Sequence, residues 1–272
     1  MSQLTITTIQ TNLVWEDKAA NLQLLEEKIN AIEEKTEIVV LPEMFSTGFS
    51  MQPQLFAETM DGETVDWMRR IAEDKRIIVT GSVIIKEENH FYNRLIWMLP
   101  NGYVGFYNKR HLFAYGEEDK HYTAGNKRLI ASVKGWKINL QVCYDLRFPV
   151  WARQAAPSQP PLKAEEKANP EYDILIYVAN WPERRSHAWK TLLCARAIEN
   201  QCYVVGVNRV GKDGHNINHS GNSLVIDPLG EVLYHMADEE DIFTITLQKE
   251  WLDEVRTKFP FWKDGDDFLI NK

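Results

Sequence analysis

A disulfide framework is missing from this chain. Its 272 residues contain three cysteines, Cys143, Cys194 and Cys202, an odd number with no C-x-x-C pair, which fits a reducing, cytoplasmic compartment. Nowhere do 18 apolar residues run together, and the opening M-S-Q-L-T-I-T-T-I-Q has no basic n-region and no long apolar core. Neither a membrane span nor a secretory leader is expected. No Gly/Ser linker divides the chain, so residues 1–272 read as a single domain. Positive charge is in short supply: 31 Lys and Arg stand against 39 Asp and Glu, a net charge of −8, which argues against nucleic acid or an anionic membrane as partner. Phosphate loops are also absent, since G-K-D-G and D-G-E-T lack both the spacing and the Lys-Ser/Thr ending. His215 and His219 are four residues apart, but G-H-N-I-N-H-S is turn-like and no carboxylate or cysteine completes a ligand set. Neither a metal nor a cofactor is implied.

What is present suits a mixed α/β protein with an ample core, at 44% hydrophobic and 11% aromatic residues. Leu4 to Ile9 alternates as a strand. Trp15 to Lys35 carries Leu22, Leu25, Ile29 and Ile32 at helical spacing, and a short apolar strand comes next and ends at Pro42, delivering Glu43. Phe45 to Glu63 has no sustained period and reads as loop, Thr64 to Asp74 as a second helix, and Arg76 to Asn108 as a run of hairpins whose last strand presents Lys109. Asp173 to Ala179 is a nearly continuous apolar strand, buried on both faces. It leads to a helix over Ser186 to Asn200, with Ser186 as its cap. Four more strands and a short C-terminal helix complete the chain. Ala155 to Tyr172 contains four prolines and mixed charge, and its first 17 residues, 155–171, are expected to form an exposed loop with no part in the chemistry.

The cysteine at residue 143 stands out by position. Ile138, Leu140 and Val142 alternate with Lys137, Asn139 and Gln141, so a strand with one apolar face ends where Cys143 begins, and Asp145 is placed to cap the segment after it. A thiol at such a junction is exposed to whatever binds there, whereas Cys194 and Cys202 read as packing residues. Glu43 and Lys109 also come directly after apolar strands, and strand ends in an α/β sheet share one rim.

These residues carry a resemblance. L-P-E-M-F-S-T-G-F at Leu41 to Phe49, N-K-R-H-L-F at Asn108 to Phe113, V-C-Y-D-L-R-F-P at Val142 to Pro149, A-N-W-P, A-R-A-I-E-N-Q and D-P-L-G-E-V together cover nearly the whole chain. It resembles the nitrilase, or carbon–nitrogen hydrolase, superfamily, and within it the omega-amidase branch. The resemblance implies a four-layer α-β-β-α sandwich, a homodimer, and catalysis by Glu43, Lys109 and Cys143. Glu118, seven residues before Gly125, matches the family's E-x-x-x-x-x-x-G pattern for a second active-site glutamate.

The residue types suggest the chemistry. A free thiol is only a few per cent thiolate at neutral pH, so a nucleophilic Cys143 needs a base or a cation beside it, and Glu43 can take its proton. Lys109 and the backbone N–H of Tyr144 are placed to stabilise the oxyanion formed when the sulfur attacks an amide carbonyl. Phe49 and Trp181 are pocket-wall candidates. Arg110 and Arg147, each near a catalytic residue in sequence, are candidates for a substrate carboxylate. The omega-amidase resemblance implies a small anionic amide as substrate, such as 2-oxoglutaramate or 2-oxosuccinamate. The same triad also serves nitrile hydrolysis, carbamoyl hydrolysis or acyl transfer, and a catalytically silent interaction protein is the non-enzyme reading.

Overall fold

The computed structural model describes residues 2–154, 170–266, 268 and 270; positions 155–169 of the expected loop lie outside the described residues. Thirteen strands among them form two sheets. One contains β1 (Gln3–Gln10), β2 (Ile38–Val40), β3 (Ile78–Glu87), β4 (His90–Met98), β5 (Val104–Asn108) and β13 (Asp241–Gln248), in the order β13-β1-β2-β3-β4-β5. The other contains β6 (Leu129–Val133), β7 (Trp136–Val142), β8 (Ile174–Val178), β9 (Tyr203–Val207), β10 (Val210–Lys212) and β11 (Asn218–Ile226), in the order β10-β11-β9-β8-β7-β6, with β12 (Val232–Ala237) also paired to β11. Each sheet has three parallel strands at its centre, β1-β2-β3 and β7-β8-β9, flanked by antiparallel ones.

Strand alternation builds the layers. Leu4, Ile6, Ile38, Val40, Leu95 and Trp97 point inward and share a core with Ile138, Leu140 and Val142 of the opposing sheet. Ile9, Val39, Val79 and Ile96 point outward onto Leu25 of the helix Lys18–Asn30 and Met68 and Ile71 of the helix Glu63–Lys75. Trp189, Leu193 and Ala197 of the helix Ser186–Asn200 cover the other sheet. The result is the four-layer α-β-β-α sandwich, because every central strand has apolar residues on both faces.

Several sequence expectations are corrected. The first helix is shorter than Trp15 to Lys35, because Asp17 caps it by accepting from Ala20 N at 3.0 Å. Ser186 is not a cap: a 3-10 turn over Glu183–Arg185 runs directly into the helix, so Ser186 is already its first residue. Phe45 to Glu63 includes a short helix, Pro53–Phe56. Five strands, not four, come after the Ser186–Asn200 helix, because the strand expected over Tyr203 to Val210 is interrupted between Val207 and Val210. Asn139 and Gln141 do not form a solvated strand face either: both are fully buried, and Gln141 Nε2 points to the carbonyl of Trp151, in the short helix Pro149–Ala152.

Candidate active site

Glu43, Lys109 and Cys143 do converge, but from two sheets and not one. β5 runs in the same direction as β2 and β3, so Glu43, three residues past β2, and Lys109, next after β5, lie on one rim of the first sheet. Cys143 lies on the rim of the second, where β7 ends. The chain there turns sharply into a 3-10 turn, Cys143–Arg147, with Cys143 in the left-handed region at φ 44°. A non-glycine residue held at positive φ costs about 1 kcal/mol or more and needs surrounding structure to fix it.

Asp145 does the fixing. It sits inside the turn and is not a helix cap; its fully buried carboxylate accepts from Val142 N at 3.1 Å and from Tyr107 OH at 2.8 Å through one oxygen. The other oxygen accepts from His111 N at 2.9 Å, with the His111 ring Nδ1 at 2.8 Å. The cysteine turn is thereby tied to the segment that carries Lys109.

Lys109 is the centre of a buried charge cluster. Its Nζ donates to Glu43 Oε1 at 2.9 Å and to both oxygens of Glu118 at 2.9 and 3.0 Å, and all three side chains are out of solvent. Asn93, in the middle of β4, donates to the same two carboxylates at 2.8 and 3.2 Å. Glu43 Oε2 accepts from the main-chain N–H of Asn180 at 2.8 Å. Glu118 Oε2 accepts from Phe113 N at 2.6 Å. The glycine of the E-x-x-x-x-x-x-G spacing has a steric reason: a Cβ on Gly125 would lie 2.1 Å from the carbonyl oxygen of Asn108, beside Lys109.

This packing sets the ionisation. Burial opposes the Lys109 ammonium, but Glu118 and then Glu43 outweigh it and hold its pKa above the ordinary lysine value. Burial pushes the Glu118 carboxyl upward against the pull of Lys109. Burial, then the Glu43 charge, lifts the Cys143 thiol well above its usual range, and Lys109 only partly offsets them. At rest the sulfur therefore carries its proton, next to a carboxylate able to accept it.

Above the sulfur opens a cavity of about 220 Å³. The pocket-wall candidates Phe49 and Trp181 line it, as do Arg147 and Tyr144, with Arg147 stacked on Trp181 at 5.0 Å and Lys109 Nζ 5.2 Å from the Phe49 ring centre. Arg110 does not line it. Its guanidinium lies over Trp151 at 5.1 Å and donates to the Gly125 carbonyl at 3.3 Å, so it serves structure. The sequence reading missed Asn93, Asn180, Arg184, Arg185 and His219. An asparagine in the run Phe91 to Leu99, which is apolar apart from it and Arg94, and two arginines just beyond A-N-W-P, were the available signals. Cys202 is fully buried and Cys194 half-buried on its helix, both away from the cluster.

Comparison with known proteins extends the resemblance. The carbon-nitrogen hydrolase family model matches residues 5–257. The omega-amidase YafV of Escherichia coli K12 is 42% identical over 274 residues, covering 99% of this chain and 100% of that protein. The 2-oxoglutaramate amidase of Bacillus subtilis 168 is 31% identical over 96% of each chain. The crystal structure of XC1258 from Xanthomonas campestris, a CN-hydrolase superfamily protein with an arsenic adduct in its active site, superposes with a TM-score of 0.94 at 42% identity over the whole of both chains. The family match takes in every strand end that carries the cluster, and the chain therefore belongs to the carbon–nitrogen hydrolase family.

Proposed function

We propose that the protein hydrolyses the terminal amide of small dicarboxylic acid monoamides, of which 2-oxoglutaramate is the model, through a thioester on Cys143. The observation that carries this reading is Lys109 Nζ held between two buried carboxylates beside a protonated thiol at the foot of the cavity. Glu43 accepts the thiol proton as sulfur attacks the amide carbon. Negative charge then develops on the carbonyl oxygen, where Lys109 and the Tyr144 N–H act as fixed donors in a site nearly closed to water. Glu43 returns the proton to nitrogen and ammonia leaves. The same carboxylate next deprotonates water, which hydrolyses the thioester and frees Cys143. Glu118 holds Lys109 in place and balances its charge, so that Glu43 can be protonated and deprotonated without leaving an unpaired ammonium in the interior.

An anionic substrate fits the cavity lining. Arg147, Arg184 and Arg185 all face it, and the one carboxylate among its lining residues, Asp213, is engaged by the main-chain N–H groups of His215 and Ile217 at 2.9 Å. The names of the Escherichia and Bacillus relatives support the same choice. The working form is a homodimer, as the family resemblance implies; Val150, Ile198, Val232 and Leu233 leave apolar surface in solvent that a second copy would cover. The free cysteines suit the cytoplasm.

Ammonia release measured across 2-oxoglutaramate, succinamate, neutral aliphatic amides, N-carbamoyl compounds and nitriles tests the function. The anionic ω-amides should lead; a nitrile or carbamoyl compound in first place would defeat the reading. Adding hydroxylamine separates water from an amine as acyl acceptor. Sedimentation velocity checks the dimer.

A further inference from the structure

The arginines around the cavity are not equivalent. Arg147 and Arg184 are exposed, whereas Arg185 is half-buried, with its guanidinium 5.1 Å from the Phe113 ring centre. None of the three is paired with a carboxylate among the described residues. Three cations thus share one small space in a chain whose net charge is −8. An exposed guanidinium is screened by solvent and salt, but a partly desolvated one pairs more strongly and more selectively with an incoming anion.

The backbone of Arg185 is also held. Its N–H donates to the Pro182 carbonyl at 3.0 Å, and its own carbonyl accepts from Trp181 Nε1 at 2.8 Å. The Phe113 ring beneath it belongs to the residue whose main-chain N–H donates to Glu118. The backbone of Arg185 is therefore anchored beside the cluster, and its guanidinium lies over a ring of the same segment, a placement suited to recognition of a substrate's far end. Burial, and after it the neighbouring Arg184, push the Arg185 pKa below the ordinary arginine value, while the Cys143 side works in the opposite direction. An anion arriving between the arginines relieves that repulsion.

We propose that Arg185 is the specificity-determining residue of this site, binding the carboxylate at the far end of the substrate as a bidentate pair, with the exposed Arg147 as an outer cation. The assignment rests on the amidase reading and narrows it: a cavity of about 220 Å³ is small compared with ordinary ligand sites, so the substrate is a short-chain amide with its carboxylate opposite the reacting end.

The test compares succinamate with its neutral counterpart butanamide. Arg185→Gln should lower kcat/KM for succinamate roughly ten- to a hundredfold more than for butanamide, mainly through KM, with Arg185→Lys recovering part of the loss. Calorimetric titration of succinate into the Cys143→Ala protein should show binding that the added Arg185→Gln change weakens by a similar factor. Equal losses for the two amides, or succinate binding indifferent to Arg185→Gln, overturn the inference. An enzyme that turns over no amide, yet binds succinate in an Arg185-dependent way, would overturn the amidase reading and leave Arg185 as an anion site.

Discussion

One oxygen of the Asp145 carboxylate lies within hydrogen-bond distance of both nitrogens His111 presents to it, the main-chain N at 2.9 Å and the ring Nδ1 at 2.8 Å. This contact joins the rims of two different sheets. Cys143 and Lys109 come from separate layers, and the distance between sulfur and ammonium depends on how those layers meet.

Replacing that carboxylate tests the connection. Asp145→Ala orphans the buried donors of Val142 and Tyr107, each worth about 1–3 kcal/mol when left unmade, and the partly buried donor of His111. A loss of at least about 3 kcal/mol in urea unfolding is expected, with kcat falling more than KM rises. Unchanged stability would mean the sheet rims are held together elsewhere.

Alkylation distinguishes the cysteines. Cys143 has its thiol proton held tightly and is 9% exposed, while Cys194 is more accessible and Cys202 is fully buried. With Glu43 as the proposed acceptor of the proton as sulfur attacks, iodoacetamide should still modify Cys143 first. Glu43→Gln removes the acceptor and should slow that reaction roughly a hundredfold or more, leaving Cys194 as the leading target. Peptide mapping by mass spectrometry reads both rates, and an unchanged Cys143 rate in the Gln variant would remove Glu43 from the base role.

That Glu43, Lys109 and Cys143 would meet was legible because each comes at or soon after the end of a strand-like run, although the strand before Lys109 is only partly buried, and Glu118 stood out because its spacing to Gly125 matches a pattern. The layers were legible from alternation and from motifs spread along the chain. Asn93 was hidden by its strand: period-two alternation says which face a residue occupies but not which groups from distant segments it meets. Arg110 and Arg185 show the same limit in opposite directions. Arg110 is adjacent to Lys109 in sequence yet turns to Trp151 and Gly125, while Arg185 is 42 positions from Cys143 and lines the same cavity. Asp145 looked like a helix cap from its place after a strand, and only the meeting of the two sheets reveals its partners.

His219 gives the fold an acid limit. Burial, then the nearby Arg209 guanidinium, depresses its pKa from 6.5 to about 4, with Asp213 and the carbonyls of Ile217 and Gly211 opposing weakly. A depressed folded-state value means that the unfolded chain binds the proton first. The stabilisation is complete above pH 6.5 and is lost as pH falls toward 4, up to about 3 kcal/mol. Melting temperature should accordingly drop between pH 7 and pH 4.5, and His219→Gln should flatten that slope. An identical slope in the variant would place the acid sensitivity in other groups.

Lys109→Met separates a structural role from a catalytic one. The change removes the ammonium but keeps much of its volume, so Glu43 and Glu118 are left facing each other in a site closed to water. Leaving buried charge without its partner costs about 3–5 kcal/mol, and a protein of ordinary stability has little more than that to lose. Protonation offers relief: burial already raises the Glu118 pKa, and without Lys109 to oppose it the value must climb further. A group whose folded-state pKa is raised adds stability as pH falls below that value, so the variant should be least stable near pH 8 and regain part of the loss near pH 5.5, where the wild type gains nothing comparable. Urea midpoints at the two pH values measure this directly. Equal destabilisation at both would mean that the two carboxylates do not share a proton when the lysine is gone, and that Glu118 is not tuned by the charge it pairs with.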